Sequence, residues 1–118
     1  MAMPKSLTMG RIAVAKFAIG QVIRHRSYNI RGMVFDVDPH YTETEFTHAM
    51  LLVDPQQRRD QPFYYLFADH EQTPFVAYVS EQSLEPDSSN EPIQHPNVEA
   101  MFVRDDCGVY RWRGQVMN

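Results

Sequence analysis

From Phe17 to Tyr41 the chain reads FAIGQVIRHRSYNIRGMVFDVDPHY, an order that leaves little room for anything but two strands joined by a tight turn. Gly20 can take a backbone angle that other residues resist. Val22 to His25 is a short β-prone run, and Ser27, Tyr28 and Asn29 supply turn-forming side chains. From Gly32 to Asp38 the residues alternate. Met33, Phe35 and Val37 are predicted on one face, Val34, Asp36 and Asp38 on the other. Pro39 has no N–H to donate and ends the ladder.

The remaining chain repeats this short-strand grammar. Residues 1–14 read as a flexible leader, and Tyr41 to His48 as an exposed loop carrying Glu43 and Glu45. Ala49 to Val53 fits a turn of helix or an extra strand, and Gln56 to Asp60 a charged linker. Phe63 to Ala68 is aromatic and β-prone, and Asp69 to Gln72 is a polar hairpin connection. Phe75 to Val79 is apolar on both faces, as a buried or barrel-closing strand would be. Ser80 to Leu84 suggests a turn and a last short strand, and Pro86 to Pro92 a loop. After Pro96, residues Val98, Met101 and Phe102 fall at helical spacing and are expected to dock on the sheet. Asp105 to Gly108 reads as a turn, and Val109 to Arg113 as a strand or ordered tail. The expected fold is mainly β: a small SH3-like β-barrel of about five antiparallel strands with a short C-terminal helix. It is expected over residues 15–104, followed by a tail at 105–118.

A chain of 118 residues fits one domain. Its longest apolar run, Ala49 to Val53, is far too short to span a bilayer, and no signal peptide is recognisable. The single cysteine, Cys107, permits no internal disulfide, which suits a cytoplasmic protein. The net charge of −4 argues against an undirected nucleic-acid coat, since such proteins carry a basic surplus. The sequence contains no glycine-rich phosphate loop, G-x-S-x-G or H-E-x-x-H motif. His25, His40, His48, His70 and His95 are dispersed, so neither a metal nor a cofactor is expected. Asp36 and Asp38 share a strand face about 7 Å apart, but they read as outward polar positions beside a strand end. A non-enzymatic protein is expected.

Two groups of residues could bind partners. Arg24, His25, Arg26 and Arg31 surround the first turn with Tyr28 among them, and Arg58 and Arg59 lie on the middle loop. Basic side chains interleaved with an aromatic can hold a phosphate backbone or stack on a base. The alternative is a solvated rim balanced by nearby acids. Tyr110, Arg111, Trp112 and Arg113 are of the types that anchor protein interfaces.

Several blocks together resemble a known family. They are Phe17-x-Ile19-Gly20-Gln21-x-x-Arg24-His25, Gly32-x-Val34-x-Asp36-x-Asp38-Pro39-x-Tyr41, and Asp60-Gln61-Pro62-Phe63-Tyr64 with Leu66. Tyr78-Val79-Ser80-Glu81-Gln82-x-Leu84-x-Pro86-Asp87 and His95-Pro96 with Phe102 follow in order. This pattern is similar to the HspQ family, also called YccV-like or hemimethylated-DNA-binding proteins. The family usually has His where this chain has Tyr65. The resemblance implies a small cytoplasmic bacterial heat-shock protein with a β-barrel core that forms homo-oligomers. It implies binding of hemimethylated DNA at the replication origin. It also implies control of replication-initiator turnover, and a role as substrate and specificity enhancer of the ATP-dependent Lon-type protease. Phe17, Val34 and Tyr64 are expected in the core, with Gly20, Gly32 and Pro39 setting backbone geometry. The acidic balance and the Tyr110–Arg113 stretch favour the protease-adaptor reading, with DNA binding through the arginines as its alternative.

Overall fold

The computed structural model describes residues 15–51 and 58–116. Strand β1 (Val22–His25) pairs antiparallel with β2 (Arg31–Asp38) across the expected turn. β2 then pairs with β3 (Phe63–His70), and β3 with β4 (Thr73–Ser80). The polar connection between β3 and β4 shrinks to Glu71 and Gln72, which take φ values of 52° and 71°. That left-handed pair matches the twist of a two-residue hairpin. A 3-10 turn, Glu81–Ser83, leads into β5 (Leu84–Pro86), which pairs with β1.

The strand order is β4-β3-β2-β1-β5. The closed barrel expected from sequence is therefore corrected to an open five-stranded antiparallel sheet: no pairing joins β4 to β5 among the described strands. The sheet is strongly curled all the same. β4 and β5 form opposite edges, yet only Glu81, Gln82 and Ser83 lie between them, and a chain that short bridges little more than about 14 Å. The β4 edge meets Leu51 in a single parallel bridge at Tyr78, and β5 is only three residues long. Both features limit the edge available for stray pairing.

Both faces of the sheet are covered. The inner face gathers Phe17, Ile23, Val34, Tyr64, Leu66, Ala68, Ala77, Val79 and Leu84. The other face packs Met33 and Phe67 against Ile93, Val98, Phe102 and Tyr110. Ile93 precedes helix α2 (Pro96–Met101), which supplies Val98, while Phe102 and Tyr110 come from the two-stranded sheet of β6 (Phe102–Arg104) and β7 (Tyr110–Trp112). Burying both faces explains why β4 is apolar from Phe75 to Val79. Phe17, Val34 and Tyr64 lie in the core as expected.

The alternation predicted for β2 fails at one point. The ladder shifts register between Val34 and Asp36, leaving Phe35 as an extra residue. Such a bulge inverts the facing of everything after it. Val37 thus packs with Val34 on the inner face, while Phe35 joins Met33 on the other. The loop predicted at Tyr41 to His48 is corrected in part to a short helix, α1 (Glu45–Met50). Thr44 caps it: its Oγ1 accepts from Thr47 N at 3.0 Å, while Thr44 N donates to Thr47 Oγ1 at 2.9 Å. This reciprocal box satisfies two backbone donors that would otherwise be orphaned. Of the apolar run Ala49 to Val53, Met50 ends the helix and Leu51 bridges to β4; Leu52 and Val53 lie outside the described residues. The leader, residues 1–14, lies outside them too.

Gly20 joins the two packed layers. Its N donates to Val34 O at 2.8 Å and its O accepts from Tyr110 N at 2.9 Å. Its φ is +93°, and a Cβ there would run into the Tyr110 carbonyl. Residues 110–112, assigned to the tail from sequence, thus pair both with β6 and with the start of the fold, and a short helix, α3 (Arg113–Val116), follows. No helix among the described residues is long and apolar enough to cross a membrane.

Candidate nucleic-acid interface

The β1–β2 turn is built on a histidine that faces inward. His25 follows Ile23 by two residues, so it shares the buried face of β1 and is only 7% exposed. Its N donates to Ile30 O at 3.0 Å, closing the turn. Its Nδ1 accepts from Ser27 N at 3.0 Å and Tyr28 N at 3.1 Å, satisfying two turn donors at once. Burial holds the His25 pKa below its ordinary value, which preserves the neutral acceptor. Of the candidate phosphate ligands, His25 is therefore the brace beneath the turn rather than a surface cation. The Tyr28 ring stacks over it at 4.4 Å between centroids and remains half-exposed.

Arg24, Arg26 and Arg31 are brought together by sheet register. Arg24 lies opposite Arg31 on β2 and opposite Glu85 on β5, and Arg31 lies opposite Asp69 on β3. Directly paired residues project from one face, so these four form a row of charge across the sheet. Glu85 serves two guanidinium groups: Oε2 meets Arg24 Nε at 3.3 Å and Oε1 meets Arg26 Nη1 at 3.5 Å. Arg26 Nε also donates to the Gln82 carbonyl at 3.1 Å. Arg24 and Arg26 remain about half exposed, at 49% and 55% of their side chains.

Arg31 is differently engaged. Its Nη2 donates to Asp87 Oδ2 at 2.9 Å and to the Glu91 carbonyl at 2.6 Å. Burial pushes the Asp87 carboxyl up, but hydrogen bonds from Arg31 and Ser89 and the Arg31 charge bring it below the usual carboxylate range. Arg31 thus fastens the loop after β5 and has less to offer a ligand.

The middle loop connects to this row through two glutamines. Gln61 Nε2 donates to the Arg58 carbonyl at 2.8 Å and to Gln82 Oε1 at 2.9 Å. Gln82 in turn carries the carbonyl that holds Arg26. The Arg58 side chain is exposed and bonds to Asp60 at 2.8 Å, an interaction that lowers the Asp60 pKa. Arg59 belongs elsewhere: its guanidinium lies 4.3 Å above the Tyr41 ring and reaches Glu43 at 3.7 Å.

The Tyr110–Arg113 stretch separates into buried and exposed members. Tyr110 is buried, and its hydroxyl accepts from Ile93 N at 3.0 Å. Trp112 is 47% exposed and meets Phe102 edge-on. Arg111 reaches Asp105 at 3.3 Å, and Arg113 donates to the Glu99 carbonyl at 2.9 Å.

Asp36 and Asp38 have structural partners. Asp38 Oδ2 accepts from the Tyr65 and Tyr78 hydroxyls, each at 2.8 Å. Burial, and then the hydrogen bond to Asp38, push the Tyr65 phenol up to about 12; burial raises that of Tyr78 too, followed by an opposing bond from Thr42 N and the pull of Asp38. Asp36 Oδ1 accepts from Val37 N at 2.9 Å. No group of three or more metal-ligating side chains occurs among the described residues.

Sequence reasoning missed Glu85, Asp87, Gln61 and Gln82 as the residues that arrange the arginines. Their roles follow from long-range register, which no local pattern displays. The inward turn of His25 did carry a signal, its parity with Ile23.

A family model described as hemimethylated DNA-binding protein YccV like matches residues 15–108. That span takes in β1 to β6 and the row of arginines, and includes Gly20 but not its partner Tyr110. The chain belongs to the YccV-like family.

Proposed function

We propose that this protein is a non-enzymatic, cytoplasmic DNA-binding module that holds duplex through Arg24, Arg26 and neighbouring Arg58, and prefers hemimethylated sites such as those at a replication origin. The family description supports this reading. The observation that carries it is the sharing of one carboxylate, Glu85, by two half-exposed arginines beside an exposed aromatic turn. A phosphate can take the place of that carboxylate, and a backbone contact of this kind positions the duplex without reading sequence. A small number of phosphate contacts agrees with a net charge of −4. Two or three phosphate contacts predict a modest salt dependence, a slope of log K against log salt of about −2 to −3. Titration of the full chain into unmethylated, hemimethylated and fully methylated duplexes of one sequence tests the reading. Equal affinity for all three would sink it.

A second reading has its own support. Trp112, Ile19 and Val109 are large apolar side chains left exposed, and aromatic residues of this kind anchor protein interfaces. In this reading the protein, as a homo-oligomer, binds an ATP-dependent Lon-type protease and modulates turnover of the replication initiator. Removing everything after Val109 would not test it, because Tyr110 is buried. Trp112→Ala leaves Tyr110 in place. Unchanged protease stimulation by that variant in a purified assay would refute the role of this surface.

A further inference from the structure

We infer that Tyr28 is the residue that reads the methyl group, an assignment that rests on the DNA-binding function proposed above. The turn from Arg26 to Ile30 lies outside both ladders that flank it. The β1–β5 register ends at His25, and the β2–β3 register begins at Arg31. A segment without ladder bonds is ordinarily mobile, but this one is pinned from three directions. His25 Nδ1 holds the N–H groups of Ser27 and Tyr28 from below. His70 Nδ1 meets the Asn29 carbonyl at 3.0 Å, and Arg26 N donates to Ser83 O at 2.8 Å. The aromatic ring at the tip is consequently fixed. One face lies on His25, and the ring is 50% exposed.

A fixed aromatic ring on the same hairpin as two phosphate-seeking guanidiniums suits one task in duplex recognition. The major groove is about 12 Å wide and admits a two-stranded β-ribbon. β1 and β2 are flanked by β5 and β3, so only the turn that joins them, with strands about 4.8 Å apart, meets the groove, and it carries the exposed Tyr28. With Arg24 and Arg26 on the phosphates, the free face of the ring meets base edges. A methyl group there moves from water to an apolar surface, which raises affinity about fourfold. A flexible residue would lose part of that gain to ordering. The braced turn does not.

The test measures binding of full-length protein to hemimethylated and unmethylated duplexes of the same sequence, by fluorescence anisotropy at several salt concentrations. Tyr28→Ala is expected to abolish the methyl preference while leaving the salt slope unchanged. Tyr28→Phe is expected to retain both. Tyr28→Gln, whose flat amide still covers His25 but offers no apolar face, replaces the alanine variant if that one melts early, with the same expected loss. Wild-type preference in the alanine or glutamine variant overturns the assignment, and so does loss of preference in Tyr28→Phe. If the wild type itself shows no preference, it is the proposed function that fails.

Discussion

The β1–β2 end and the α2–β6–β7 end of the molecule use the same parts to different effect. Each has a buried histidine whose Nδ1 accepts backbone N–H groups: His25 beneath the turn, and His95 capping α2 through Asn97 N at 3.1 Å. Each carries arginines and an exposed aromatic. At the first end two guanidiniums share Glu85, and the ring stacks on the histidine itself. At the second, Arg111 has Asp105 and Arg113 has the Glu99 carbonyl, while His95 packs on Phe67 inside the core. The lesson is that surface arginines are not equivalent. A cation with its own acceptor completes a fold, whereas two cations on one carboxylate leave charge over for an outside anion.

The largest effect should come from breaking the joint between the ends. Gly20→Ala adds both a left-handed backbone cost and a collision with Tyr110, so a loss on the order of 3 kcal/mol is expected in chemical denaturation. A loss under about 1 kcal/mol would show that the β7 seam is not held there. Next comes the contrast between the two sets of arginines. Arg24→Ala combined with Arg26→Ala should weaken DNA binding about tenfold or more and flatten the salt slope by about 2. Arg111→Ala with Arg113→Ala should leave both quantities near wild type. Equal losses from the two pairs would erase the distinction between them.

Acid should strain both histidines. Burial, the dominant cause in each, lowers the pKa of His25, and of His95 despite opposing contributions from the Phe75 backbone and Asp69. The folded state therefore releases protons that the unfolded chain keeps. Stability is full above the ordinary histidine value of about 6.5 and declines as pH falls below it. Thermal melts between neutral pH and about pH 5 check this. A curve that is flat or rises toward acid would contradict it. A separate decline at lower pH is expected from Asp87, Asp60 and Asp105, whose carboxyls all lie below the ordinary range in the folded state. The smallest effect belongs to Glu85→Gln. Removing a half-buried competitor worth about 0.2–1 kcal/mol should raise DNA affinity up to about fivefold. Weaker binding would mean that Glu85 positions the arginines more than it occupies them.

Features set by neighbours in sequence were legible, and those set by register were not. Gly20 was assigned a special angle, and it adopts φ +93°. Val98, Met101 and Phe102 dock on the sheet as their spacing predicts. The bulge at Phe35 was invisible because the residues on either side still alternate in polarity. The box at Thr44 escaped because Thr47 fills the place where glutamate or glutamine is the usual sign. An open curled sheet and a closed barrel share the same strands and turns, so their difference lay beyond any local pattern. Arg24 and Glu85 are separated by most of the domain in sequence, and only the β1–β5 pairing makes them neighbours.

The hydrogen bond between Gly20 and Tyr110 also sets an order of events during synthesis. Every strand of the main sheet leaves the ribosome before β7 does. Met33 and Phe67 therefore stay uncovered on a finished sheet until residues 93–112 emerge and fold over them. A ribosome stalled in that interval presents a folded platform with a greasy back, a form that holdase chaperones recognise and the completed protein hides.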